Sequence, residues 1–119
     1  NFIGHGPGWW ASISGDCKSL GSYPKGPVTP GGAIDRLMER YPNIYGDLSA
    51  GSGANSISRD KTFGHAFLVR RQDRLMFGTD YLQPGQEVPQ FELFDNLDLP
   101  AAVQKKVFRK NAERVLKLG

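Results

Sequence analysis

Apolar residues recur at helical spacing in three segments of the chain, and each segment predicts one helix. The first helix is expected over residues 30–41, with Thr29 as its cap and Pro42 ending it. Pro30 suits the first helical position, where its missing N–H costs nothing. The apolar face of this helix comprises Ile34, Leu37, Met38 and Tyr41.

The second helix is expected over residues 58–72, with Ser58 as its cap, and the third over residues 100–118. The apolar face of the second comprises Phe63, Ala66, Phe67 and Leu68, and that of the third comprises Val103, Val107, Phe108, Ala112, Val115 and Leu116. Asn111 interrupts the third face, and we interpret it as a buried side chain that bonds nearby backbone.

Three apolar segments, residues 2–4, 43–48 and 74–79, are too short to be helices, and each predicts a buried strand. Strands and helices therefore alternate along the chain. This alternation predicts an α/β fold with parallel strands and flanking helices.

Two long segments, residues 6–27 and 81–99, interrupt the alternation and are rich in Gly, Pro, Ser or Asp. Segments of this length inside a compact domain are usually functional or contain a short helix. Residues 51–56, also Gly-rich, are predicted to form a loop between the second strand and the second helix.

The composition is typical of a globular domain and argues against a nucleic-acid-binding or membrane-spanning protein. The 119 residues are 39% hydrophobic and 23% charged, as in an ordinary globular domain. The net charge of +3 comes from scattered basic residues, so we expect no nucleic-acid partner. No apolar run approaches the ~20 residues that span a bilayer, so we expect no membrane segment. The single cysteine, Cys17, excludes an internal disulfide and is compatible with a cytoplasmic location.

Polar residues follow each predicted strand. His5 follows the first strand, the second ends in Asp47, Leu48 and Ser49, and Asp80 follows the third. Because the carboxyl ends of parallel strands form the active face of α/β folds, these side chains are expected on one side of the sheet. A histidine and carboxylates in such a place bind a divalent metal or act as acid and base.

Four sequence motifs carry a family resemblance. They are HGPGWW at residues 5–10, YPNIYGDLS at 41–49, RLMFGTDY at 74–81 and NAERVL at 111–116. In this order they resemble strands six, seven and eight and the final helix of the amidohydrolase-related proteins, a branch of the metal-dependent amidohydrolase superfamily. The resemblance covers nearly the whole chain.

The resemblance implies that residues 1–119 are a partial domain, the last three βα units of a (β/α)8 TIM barrel. In this family a His-x-His pair on strand one and a histidine on strand five bind a divalent metal, usually zinc. By resemblance Asp80 is a metal ligand and general base. His5 is the strand-six histidine, which contacts substrate or acts as acid and base, and is a second candidate ligand. The implied reaction is water attack on a C–N or C–O bond of a small molecule, or decarboxylation in some relatives.

The chain departs from the family pattern because it lacks the His-x-His pair and the strand-five histidine; His5 and His65 are its only histidines. We therefore expect it to be inactive alone and to need an N-terminal part of the barrel or an oligomeric partner. Since it begins at Asn1 rather than Met, we expect an excerpt or a processed product.

Each candidate residue also has a structural interpretation. Trp9 and Trp10 line a substrate pocket or belong to the core. Asp47 reaches substrate or, as we favour, bonds loop N–H groups. Asp80 is alternatively a helix cap, and His5 a structural histidine bonded to loop backbone. Ser49 and Ser52 are further candidates for substrate binding.

Two other functions compete with the enzyme. A non-catalytic or degenerate half-barrel would pack with a partner chain, because three parallel strands leave two open edges. An anion- or phosphate-binding protein would use the loop at residues 51–56, although its G-x-G-x-x-S pattern lacks a third glycine and a following lysine.

Overall fold

A three-stranded parallel sheet forms the centre of the computed structural model, which describes residues 1–17 and 21–119. Its strands are β1 (Phe2–Gly4), β2 (Ile44–Asp47) and β3 (Leu75–Met76), and β2 lies in the middle. The predicted α/β class with parallel strands and flanking helices is confirmed, and the arrangement is consistent with consecutive βα units of a TIM barrel. The second and third strands are shorter than the segments that predict them.

Helices connect and flank the strands. They are α1 (Pro7–Ala11), α2 (Ala33–Arg40), α3 (Ala50–Ser58), α4 (Lys61–Arg70), α5 (Pro89–Asn96), α6 (Ala101–Lys105) and α7 (Asn111–Val115). Helices α1 and α5 lie in the two long segments that interrupt the predicted alternation, so each of these segments contains a short helix. Residues 18–20 of the first segment lie outside the described residues. None of the helices in the described ranges has the length and apolarity that a bilayer crossing requires.

Helix α2 begins three residues later than predicted, after Gly32 rather than Thr29. Thr29 is occupied elsewhere: its N–H donates to Ser14 Oγ (2.9 Å), and its carbonyl accepts from the N–H of Gly15 (2.8 Å). Gly32 lies so close to Ile13 that a Cβ would be 2.0 Å from the Ile13 carbonyl oxygen. Contacts with the preceding segment therefore decide where α2 starts.

The predicted helix over residues 58–72 is wrong in its boundaries, because two helices occupy this part of the chain. Ser58 ends α3 instead of capping a helix, and Asp60 caps α4 by accepting from the N–H of Phe63 (3.1 Å). Residues 51–56, predicted as a loop, form most of α3. A Cβ on Gly53 would lie 2.2 Å from the Leu48 carbonyl oxygen, so this glycine lets the helix pack directly on the end of β2. Close packing here outweighs the low helix propensity of glycine.

The last predicted helix is interrupted by a π-helical turn at Lys106–Lys110, between α6 and α7. In this turn the N–H of Asn111 bonds the carbonyl of Lys106, which leaves the Val107 carbonyl to accept from the N–H of Phe77 (2.8 Å). The Asn111 side chain is fully buried and donates to the carbonyl of Leu75 (2.8 Å), as its interpretation from sequence predicts. The π turn and Asn111 thus tie the last helix to β3.

One apolar core joins the sheet to these helices. Its fully buried side chains include Ile13, Ile34, Met38, Leu48, Ile57, Phe67, Leu68, Leu75 and Val107. The assignment of residues 1–119 to one partial barrel domain stays a prediction.

Candidate functional site

His5, Asp47 and Ser49 meet at the carboxyl ends of β1 and β2, and we call them the strand-end cluster. His5 Nδ1 lies 3.0 Å from Asp47 Oδ2 and 3.3 Å from Ser49 Oγ. The Ser49 hydroxyl donates to the same Asp47 oxygen (2.8 Å). The parallel register places the two strand ends side by side, which brings these residues together as the sequence predicts.

The Asp47 carboxylate is held on both of its oxygens. Oδ1 accepts from the backbone N–H of Ser49 (2.9 Å), in agreement with the favoured interpretation that Asp47 bonds loop N–H groups. Oδ2 contacts His5 and Ser49 as described above. Gly78 follows β3 and packs on this cluster: a Cβ there would lie 3.0 Å from Asp47 Oδ1. Asp47 therefore has a defined position although its side chain is 31% exposed.

The strand-end cluster differs from a hydrolytic Ser-His-Asp triad. In such a triad the carboxylate contacts one ring nitrogen and the serine contacts the other, so that the ring can relay a proton. Here Asp47 and Ser49 both approach Nδ1 of His5. Ser49 is therefore not arranged as a nucleophile, and Nε2 of His5 has no hydrogen-bond partner within residues 1–17 and 21–119.

Asp80 lies beyond β3 and lines an open cleft of about 340 Å³ that Asp47, Ser49 and Gly78 also line. Its backbone has φ of +52°, a left-handed conformation that costs energy in a non-glycine residue. The backbone carbonyl of Asp80 accepts from Gln86 Nε2 (2.8 Å). In the described part of the chain its carboxylate makes no hydrogen bond, so this group is free to meet a ligand and does not cap a helix.

Trp10 and Ser52, both predicted to contact substrate, are placed otherwise by the structure. Trp10 is 2% exposed and belongs to the core, where its indole N–H donates to the backbone carbonyl of Asp47 (2.8 Å). Ser52 is 3% exposed inside α3 and does not lie in a loop. Trp9 is half-buried, and its indole ring covers Gly4, where a Cβ would lie 2.0 Å from it. Trp10 supports Asp47 and does not form a pocket wall.

The phosphate-binding hypothesis requires a loop at residues 51–56, and the structure has a helix there. A phosphate cradle needs free backbone N–H groups in a Gly-rich turn before a helix. Residues 51–56 are inside α3, and Ser52, Asn55 and Ser56 are buried there. The predicted loop is wrong because Gly53 packs against Leu48 and the segment becomes helical.

Gln90 is a site-supporting residue that the sequence analysis does not single out. It is fully buried in α5, and its Nε2 donates to the carbonyls of Leu48 (2.9 Å) and Ala50 (2.5 Å), on either side of Ser49. Ala50 has a φ of +62°, and Gln90 thus holds a strained backbone beside the cluster. The sequence gives little indication of this role, because Gln90 is simply a polar residue in the segment that forms α5 in the structure.

The described residues do not fit a metal ion on their own. A catalytic zinc site takes three protein ligands and a water. Within residues 1–17 and 21–119, no three or more His, Cys, Asp or Glu side chains are grouped so that they could hold a metal. His5 and Asp80, the two predicted ligands, are therefore at most part of such a site.

Comparison with known proteins gives one family. No curated protein and no solved structure matches the chain. A family model described as amidohydrolase matches residues 31–118, well over half of the chain. The matched region contains Asp47, Ser49 and Asp80 of the cleft. On this match, the chain belongs to the amidohydrolase family.

Proposed function

We propose that this chain forms part of a hydrolase that directs water at a C–N or C–O bond of a small molecule, with decarboxylation as the alternative reaction. One observation carries the proposal: in a chain of the amidohydrolase family, Asp80, whose carboxylate makes no hydrogen bond within residues 1–17 and 21–119, lines the same cleft as Asp47 and Ser49. The polar lining of this cleft lies at the carboxyl ends of the parallel strands, where α/β enzymes place their active sites, while Ile3, Met76, Ala112 and Leu116 form its apolar side.

Asp80 and His5 have different roles in this proposal. Asp80 orients the attacking water and accepts its proton, because its carboxylate has no internal partner in the described part of the chain. His5 acts through Nε2, the nitrogen that the strand-end cluster leaves unbonded: the neutral ring takes up there the proton that Asp80 removes from water, and then passes it to the leaving group. General acid and base groups of this kind contribute about 10²–10⁴-fold each to a rate.

Dependence on a divalent metal, with zinc as the usual ion, is part of the proposal. Since the described residues do not complete a site, Asp80 would supply one ligand and the others would come from an N-terminal part of the barrel or from a partner chain. A bound metal lowers the pKa of its water toward ~7. The cytoplasmic location predicted from sequence stays a prediction.

The test compares Asp80→Asn with Asp98→Asn in the full-length protein. Asp98 is a matched control, because it too has a left-handed backbone (φ +50°), is exposed, and lies outside the cleft. We expect Asp80→Asn to lower kcat/KM by about 10²–10⁴-fold, with Asp98→Asn near wild type. Metal content, measured by plasma mass spectrometry, should fall only in Asp80→Asn. Equal activity in both variants would remove Asp80 from the mechanism, and a metal-free active protein would remove the metal.

A non-catalytic half-barrel that packs with a partner is the second candidate, because an aromatic surface lies behind β3. Phe91 is 58% and Phe108 40% exposed, and with Phe77 and Phe94 they border a cleft of about 390 Å³. Beside it, β3 is an edge of the sheet. Light scattering of the purified protein distinguishes the two candidates: a monomer with Asp80-dependent turnover excludes the half-barrel.

A further inference from the structure

The geometry of the strand-end cluster points to a positioning role for Asp47. We propose that Asp47 holds His5 in the tautomer with the proton on Nδ1, which leaves Nε2 as an unprotonated acceptor. The role of Nε2 in proton transfer rests on the proposed function, whereas the tautomer itself does not.

The hydrogen bonds around Nδ1 allow only this tautomer. An ionised carboxylate accepts hydrogen bonds and donates none. Asp47 Oδ2, 3.0 Å from Nδ1, therefore requires a proton on that nitrogen. The Ser49 hydroxyl donates its single proton to the same Asp47 oxygen. Toward His5 Nδ1, 3.3 Å away, Ser49 Oγ can therefore only accept a hydrogen bond. Both neighbours of Nδ1 are thus acceptors.

Asp47 can impose this choice because it is anchored in the core. Exposed ion pairs normally contribute little, since both partners move. Here the N–H of Ser49 fixes Oδ1, and the buried Trp10 indole fixes the backbone carbonyl of Asp47. The carboxylate is consequently a defined acceptor, while His5, at 43% exposure, is the more mobile partner that it orients.

Asp47→Asn is the sharpest variant, because it keeps shape and changes one acceptor to a donor. The amide oxygen must face the backbone N–H of Ser49, since that donor cannot be reversed. The amide nitrogen then faces His5 and donates to Nδ1, so the proton moves to Nε2. The same substitution in a catalytic triad selects the wrong tautomer.

Long-range ¹⁵N–¹H NMR of the purified protein, at a pH where the ring is neutral, reads the tautomer directly. The His5 signals are identified by their loss in His5→Gln. We expect protonated Nδ1 in wild type and in Ser49→Ala, the matched control, and protonated Nε2 in Asp47→Asn. A wild-type ring protonated on Nε2 overturns the proposal even if Asp47→Asn fails to fold. Retention of the Nδ1 proton in Asp47→Asn, or its loss in Ser49→Ala, also overturns it.

Kinetics separate this inference from the proposed function. Once a substrate is found, Asp47→Asn should lower kcat by about 10²-fold or more with little change in KM. Unchanged turnover in Asp80→Asn of the full-length protein, with Nδ1 of His5 protonated in the wild type, would refute the proposed function and leave the positioning role standing. Normal kcat in Asp47→Asn, with the tautomer changed, would refute only the catalytic consequence.

Discussion

Asp47 at the end of β2 and Asp80 beyond β3 line one cleft, but the chain around them is held differently. After β2, the Asp47 carboxylate bonds His5 and Ser49, α3 packs on Leu48, and buried Gln90 binds two carbonyls. After β3, the Asp80 carboxylate has no partner within the described ranges, and Gln86 binds its backbone from a more exposed position. In our proposal, the Asp47 carboxylate therefore orients His5, and the Asp80 carboxylate is available to bind a ligand.

The two glutamines provide the largest test of this contrast in stability. Gln90→Ala removes two hydrogen bonds to buried carbonyls and leaves a cavity, so we expect a loss of about 2–4 kcal/mol in the free energy of unfolding. Gln86→Ala removes the bonds to Asp80 and Leu82 on a largely exposed segment, where water replaces them, and should cost less than about 1 kcal/mol. Urea denaturation of both variants measures the difference. Equal losses in the free energy of unfolding would show that Gln90 stabilises the end of β2 no more than Gln86 stabilises the segment after β3.

Two glycines of α3 test how the β2 end is packed. Gly53→Ala forces a Cβ against the Leu48 backbone, and the required shift should cost about 1–3 kcal/mol. Gly51→Ala is the control: its Cβ would meet only the Tyr23 ring at 3.5 Å, and alanine favours a helix by up to about 1 kcal/mol. Thermal denaturation should show opposite signs. A destabilising Gly51→Ala would argue against a helix over residues 51–56.

The Asp60 carboxylate, like that of Asp47, accepts hydrogen bonds from backbone N–H groups. We expect it to have a smaller effect on stability, and one that depends on pH. Hydrogen bonds from the N–H groups of Phe63 and Val28 hold the pKa of Asp60 below its usual value. A carboxyl whose pKa is lowered by folding stabilises the protein above its unfolded pKa, about 3.9, and loses this contribution as pH falls through the folded pKa.

Asp60→Asn should therefore be less stable than wild type near neutral pH, and the difference should shrink as pH falls below about 3.9. Urea midpoints measured across acid pH check this. A difference that stays constant with pH would assign the effect of Asp60 to shape and not to charge.

Local patterns were sufficient where one element's own residues decide the outcome. The helical face of α2 is predicted correctly at Ile34 and Met38, both buried. The positions of His5, Asp47 and Asp80 at or beyond the ends of the three strands follow from apolar segments that are only a few residues long. These features depend on residues close in sequence, so periodicity detects them.

Local patterns failed where distant residues decide. Helix α3 looks like a loop because its glycines disfavour a helix, and only contact with Leu48 explains them. Trp10 looks equally suited to a pocket or a core until its indole is seen to bond Asp47. Gln90 carries no local signal, since its partners lie about 40 residues earlier in the chain.

The α/β class, the parallel strands and the family follow from the amino-acid sequence, because hydrophobic periodicity and short motifs record them locally. Tertiary contacts, in contrast, bring the Asp47 carboxylate to His5 and Ser49 and leave the Asp80 carboxylate without a hydrogen bond in the part of the chain described. The physical reason is that a carboxylate's role depends on which donors reach it, and the donors at the strand ends come from elements that meet only in the folded chain.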